Sequence, residues 1–82
     1  MGKIAWSDDA RADVRRIDRP TAMRIFTAVQ RFAHTGAGDV KELKGESGEL
    51  RLRVGDYRVR FTHEADDTIR IHAVRHRREA YR

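Results

Sequence analysis

Apolar residues return every third or fourth position as far as Ala33, and from Leu50 onward they return every second position. A helix and a strand impose different periods on the residues they bury, so this single change divides the chain into a helical part and a sheet part. In the first part Ala10, Val14 and Ile17 form one stripe, and Ala22, Ile25, Phe26, Val29, Phe32 and Ala33 form a broader one. Ser7 precedes the first stripe as an N-cap, with Asp8 and Asp9 in the first turn where the helix dipole favours negative charge. The pattern predicts one helix from Asp8 to near Asp18 and a second from Pro20 to His34. Asp18-Arg19-Pro20 marks the break and restart between them, and Gly36 and Gly38 mark the stop. Ahead of both, Lys3 to Trp6 fits a short strand.

In the second part Leu50, Leu52 and Val54 alternate with Arg51 and Arg53, Gly55-Asp56 supplies a turn, and Tyr57, Val59 and Phe61 alternate with Arg58 and Arg60. A second turn at Glu64 to Asp67 leads to Ile69, Ile71 and Ala73, which alternate with Arg70 and His72. Gly45 to Gly48 reads as an ordinary turn into the first of these strands, and Arg75 to Arg82 is too polar for a core. The expected architecture is therefore α+β, a single domain over residues 1–82: an N-terminal strand, a helical hairpin, then a three-stranded antiparallel meander, in one sheet with the helices on one face. With no cysteine among 82 residues, a disulfide framework and a thiolate nucleophile are excluded. The apolar runs fall far short of the ~20 residues that span a bilayer, so no membrane association and a cytoplasmic location are expected.

Burying the apolar set against the helices leaves Arg51, Arg53, Arg58, Arg60, Arg70 and His72 on the open face of the sheet. Like charges opposite one another on neighbouring strands destabilise a sheet by some tenths of a kcal/mol per pair. A face selected for stability would mix in acids. The chain carries fifteen arginines against three lysines and a net charge of +5. Arginine binds phosphate through a planar fork and keeps its charge, so a cationic sheet face suits a phosphate backbone. A GC-rich genome also raises arginine over lysine, so composition alone does not decide.

Few chemistries fit the remaining residues. His34, His63, His72 and His76 lack metal-ligand spacing, Ser7 and Ser47 lie in no nucleophile-elbow pattern, and no phosphate-cradling glycine loop is present. No metal or other cofactor is expected. What is left is cleavage of RNA by its own 2′-hydroxyl, which needs cations on the phosphorane, a proton acceptor and a proton donor. Arg51, Arg58 and Arg77 supply cations, and arginine cannot act as the base. His76 and Tyr81 are the titratable candidates near the tail.

The segment LKG at Leu43 to Gly45, LRLRVGDYRV at Leu50 to Val59 and HRREAY at His76 to Tyr81, in this order of elements, resemble the RelE/ParE superfamily of bacterial toxins across essentially the whole chain. The closing pattern looks closer to the RelE branch. That resemblance implies a ribosome-dependent endoribonuclease (an mRNA interferase) that inhibits translation by cleaving messenger RNA, with a cognate antitoxin as partner. Carried over by position, Arg51 stands where relatives use a basic strand residue and Arg58 matches a phosphate-stabilising arginine. Arg77 matches a tail arginine assigned to the transition state, Tyr81 a tyrosine that orients the message, and His76 a catalytic histidine of some relatives. Lys44, Arg53, Arg60, Arg70, His72 and Arg78 complete the expected RNA-binding set. Glu49 and Arg51 replace lysines of the best-studied type, so the lysine base is missing, and Arg75 replaces a glycine. Two other readings share the fold: a ParE-like, non-catalytic inhibitor of DNA gyrase, and an inactive nucleic-acid-binding relative.

Overall fold

The computed structural model describes residues 2–42 and 48–80. Among these the elements run β1 (Lys3–Trp6), α1 (Asp8–Arg15), α2 (Arg19–Thr35), β2 (Asp39–Glu42), β3 (Glu49–Val54), β4 (Tyr57–His63), β5 (Thr68–His76) and α3 (Arg77–Ala80). The strands form one sheet in the order β1-β5-β4-β3-β2. β1 lies parallel to β5 and the remaining neighbours are antiparallel.

The helix ends follow from local chemistry. Ser7 Oγ accepts from the Ala10 N–H at 3.1 Å and donates to the His72 carbonyl at 3.1 Å, so the cap of α1 also ties it to β5. α1 stops short of the expected Asp18, because the N–H groups of Arg16 and Ile17 turn back to the carbonyls of Asp13 and Val14, three residues away. Asp18 is thereby released to cap α2, accepting from the Thr21 N–H at 3.1 Å and the Thr21 hydroxyl at 2.8 Å. Gly36 closes α2 with φ 74°, a left-handed conformation that glycine adopts without cost, and its N–H reaches the Phe32 carbonyl at 2.8 Å.

Ala10, Ile25 and Val29 of the helices bury against Leu52, Val59, Phe61, Ile69, Ile71 and Val74 of the sheet. Each large side chain in this layer contributes about 1.5–3 kcal/mol relative to exposure. Leu50, Val54 and Tyr57, expected in the core, pack around it half-buried. Phe32 meets Phe61 edge-on at 5.1 Å, and Trp6 meets Phe26 in the same way at 5.1 Å.

Two features depart from the expected meander. β2 adds a strand where the sequence reads as loop, pairing Asp39 with Arg53, Val40 with Leu52 and Lys41 with Arg51. β5 is longer than its alternating core, and its register against β4 shifts: Arg60 pairs with Ala73 but Phe61 pairs with Ile71, leaving His72 as the extra residue of a bulge. Beyond the bulge the parity reverses. Val74 turns into the core opposite Val59, Ala73 moves to the open face opposite Arg60, and Arg75 and His76 continue the strand instead of starting a polar tail.

β1 ends at Trp6, which leaves the outer edge of β5 unpaired from His72 onward. Asp13 covers it. Its Oδ2 accepts from the Val74 N–H at 2.9 Å, and Oδ1 accepts from Arg16 at 3.0 Å. The guanidinium of Arg75 lies 3.6 Å from Oδ2.

Candidate nucleic-acid interface

Strand register arranges the open face in rows that cross the sheet. One row is Asp39–Arg53–Arg58–Arg75, the next Lys41–Arg51–Arg60–Ala73, and the third Glu49–Thr62–Arg70. Arg51, Arg53, Arg58, Arg60 and Arg70 therefore share the face expected of them. Acids interrupt it: β3 begins one residue earlier than Leu50 and brings in Glu49, and β2 brings in Asp39.

The acids divide the face. Arg60 is ion-paired with Glu49, and Arg70 donates to both oxygens of Glu64 at 2.8 and 3.1 Å. That fork holds the Glu64 carboxyl below its ordinary value and raises the Arg70 guanidinium. His72 shares a hydrogen bond with the Thr62 hydroxyl at 2.9 Å. At this end of the sheet the cations are balanced locally. At the other end Lys41, Arg51, Arg53 and Arg58 have no ion-pair partner among the described residues. Together with Asp39 they line a polar depression of about 230 Å³.

Arg58 is the unusual member. It is 6 % exposed, its only described hydrogen bond runs from Nη1 to the Tyr57 carbonyl at 3.3 Å, and its buried Nε has no partner among the described residues. A buried donor left unsatisfied costs about 1–3 kcal/mol, more when charged. An anion in the depression would remove that cost and meet three further cations. The arrangement can therefore hold a phosphate and stabilise added negative charge on it.

The tail residues are placed differently from the expectation. His76 pairs with Tyr57 and so shares the helix-side face, with its ring edge-on to Tyr57 at 5.3 Å and Nδ1 accepting from the Arg78 N–H at 3.2 Å. The bulge at His72 causes this, because unbroken alternation would put Val74 beside Arg58 and His76 on the same open face, whereas the shifted register puts Arg75 beside Arg58 and turns His76 to the other side. Arg77 is anchored by its N–H to the Asp56 carbonyl at 2.7 Å, and the side chains of Arg77 and Arg78 are exposed. Lys44 and Tyr81 lie outside the described residues.

Asp39, Lys41, Glu49, Thr62 and Arg75 are polar face residues that sequence reading misses. Val40 alone among four residues signals β2, and nothing local signals the bulge. Among the described residues no cluster of three or more His, Cys, Asp or Glu could hold a metal ion. No helix among them is long and apolar enough to cross a membrane.

A second concavity of about 650 Å³ runs between α2 and the β2–β3 edge. Met23, Ala28 and Leu52 give it an apolar floor, and Arg24, Arg31 and Arg53 rim it. Met23 is 54 % exposed.

A family model described as the ParE toxin of the type II toxin-antitoxin system parDE matches residues 4–81. Solved structures share the fold. The RelB-RelE antitoxin-toxin complex from Methanococcus jannaschii is 23 % identical, covers 94 % of both chains and superposes with a TM-score of 0.78. The toxin-antitoxin complex RelBE2 from Mycobacterium tuberculosis is 25 % identical over 92 % of this chain and 96 % of that one, with a TM-score of 0.65. The isolated E. coli RelE toxin is 11 % identical over 99 % and 96 %, with a TM-score of 0.75. No curated protein matches the sequence.

Proposed function

Since the chain belongs to the ParE toxin family of type II toxin-antitoxin systems, within the RelE/ParE superfamily, we propose that it acts as a ribosome-dependent endoribonuclease on messenger RNA. The observation that carries this reading is the buried, under-satisfied guanidinium of Arg58 in a depression lined by Lys41, Arg51 and Arg53. A toxin that works by holding a protein partner has no need of a buried cation aimed at an anion. One that drives the ribose 2′-hydroxyl onto its own phosphate does. As the O2′–P bond forms and the P–O5′ bond breaks, negative charge grows on the phosphorane oxygens, and preorganised donors stabilise it. Removing one such donor costs about 10²–10³ in rate.

Arg58 and Arg51 take the charge-stabilising role, Lys41 and Arg53 hold the flanking backbone, and Arg77 and Tyr81 keep the roles that the resemblance implies. Arg60 and Arg70, already paired with carboxylates, contribute less to RNA binding than their place on the face suggests. Primer extension on translating ribosomes tests the proposal. Cleavage within codons in the ribosomal A site is expected, with Arg58→Ala slowing it by at least 100-fold; cleavage undiminished in Arg58→Ala removes this depression from the mechanism.

The matching family model is that of a ParE toxin, and the ParE resemblance carries a second reading, inhibition of DNA gyrase by binding. Gyrase-dependent DNA breaks in induced cells, with messenger RNA intact, would establish it over the first. In either case the partner is a cognate antitoxin, as in the solved toxin-antitoxin complexes of this fold. We assign it to the groove along α2, because an apolar floor with three arginines against one acid, Asp39, on the rim complements an amphipathic segment bearing acids.

A further inference from the structure

Cleavage by the 2′-hydroxyl needs a proton acceptor within hydrogen-bond reach, and the cations of the depression do not include one that is neutral at pH 7. Arginine is never deprotonated in proteins. His76, the residue expected to act, lies on the opposite face of the sheet. Asp39 is the one carboxylate among the described residues that line the depression. It is exposed, it faces the open side opposite Arg53, and it has no hydrogen bond or ion pair among the described residues although four cations share its cavity. Glu49 is by contrast occupied by Arg60. The strands carrying Asp39 and Arg58 are two sheet spacings apart, about 10 Å. That separation leaves room for a ribose beside the carboxylate and its phosphate beside the guanidinium.

From this geometry we propose that Asp39 is the general base of the cleavage, an inference that rests on the ribonuclease reading. The Asp39 carboxylate takes the 2′-hydroxyl proton, and the O2′ electron pair forms the bond to phosphorus. The P–O5′ bond breaks with its pair on O5′, which takes a proton from water. The products are a 2′,3′-cyclic phosphate and a 5′-hydroxyl, and Asp39 returns its proton to solvent.

The test separates chemistry from binding. Single-turnover cleavage of messenger RNA on programmed ribosomes is measured beside the affinity for the same ribosomes, in wild type, Asp39→Asn, Asp39→Glu and Glu42→Gln. Glu42 lies on the same strand but pairs with Leu50 and takes the opposite face, so its variant controls for the loss of one negative charge. Asp39→Asn is expected to lose at least 100-fold in cleavage rate while binding as tightly as wild type or tighter, because a negative charge has left a cationic surface. Asp39→Glu regains part of the rate, and Glu42→Gln matches wild type. An Asp39→Asn protein that cleaves at the wild-type rate, or one whose binding falls in step with cleavage, overturns the assignment while leaving the ribonuclease reading intact. A wild-type protein that cleaves nothing overturns that reading, and the base with it.

Discussion

Asp13 carries more than its position on a polar helix face suggests. It is 5 % exposed, and its two oxygens serve the Val74 N–H and the Arg16 guanidinium, with Arg75 close by. Replacing it by alanine strands a buried backbone donor and removes the cover from the β5 edge. A loss of about 1–3 kcal/mol in stability is expected for Asp13→Ala from urea denaturation. Asp13→Asn, which keeps an acceptor for Val74, should lose less. Equal losses in the two variants would mean that charge, not the hydrogen bond to the edge, sets the cost.

The helices and strands were legible to the extent that their own residues specify them. The break at Asp18-Arg19-Pro20 is an example, since the first-turn proline already marks the restart, although Asp18 proves to be the cap of α2 and not the end of α1. The Thr21 hydroxyl and N–H hold the Asp18 carboxyl below its ordinary value. A carboxyl lowered by folding stabilises above its unfolded value and loses that effect as pH falls through the lowered one. Asp18→Ala should therefore melt a few degrees below wild type at neutral pH, with the gap closing in that acid range; a gap independent of pH would remove the charged cap as its cause. β2 and the end of β5 were not legible, for different reasons. Asp39-Val-Lys-Glu half-buries only one residue, Val40, opposite Leu52, so pairing with β3 specifies it more than its own pattern does. At His72 the bulge changes the phase of the strand, and Val74, Arg75 and His76 exchange the faces that alternation assigns them. The arginines of β3 and β4 keep the face that alternation assigns them, because the extra residue lies in β5.

At the scale of the molecule, the face separates into a paired end and an unpaired end, and salt dependence should report the difference. Affinity for single-stranded RNA falls with log salt by about 0.7 per phosphate neutralised. Arg51→Ala and Arg53→Ala should each reduce that slope by about 0.7, whereas Arg70→Ala, already neutralised by Glu64, should leave it nearly unchanged. Equal changes in all three would indicate that RNA displaces the Glu64 pair. The groove beyond α2 makes a separate prediction: Met23→Asp should weaken antitoxin binding at least tenfold, measured by calorimetry, and leave RNA cleavage at the wild-type rate. An unaltered affinity would move the antitoxin elsewhere.

The pairing of β1 with β5 joins Lys3 to Thr68 and Trp6 to Ile71, so strands separated by most of the polypeptide must meet before the sheet is whole. During synthesis the guanidinium row remains without its β5 column until residues near 76 have cleared the exit tunnel. Until then Val59 and Phe61 of β4 lack their partners Val74 and Ile71, so the cationic face has no finished core beneath it.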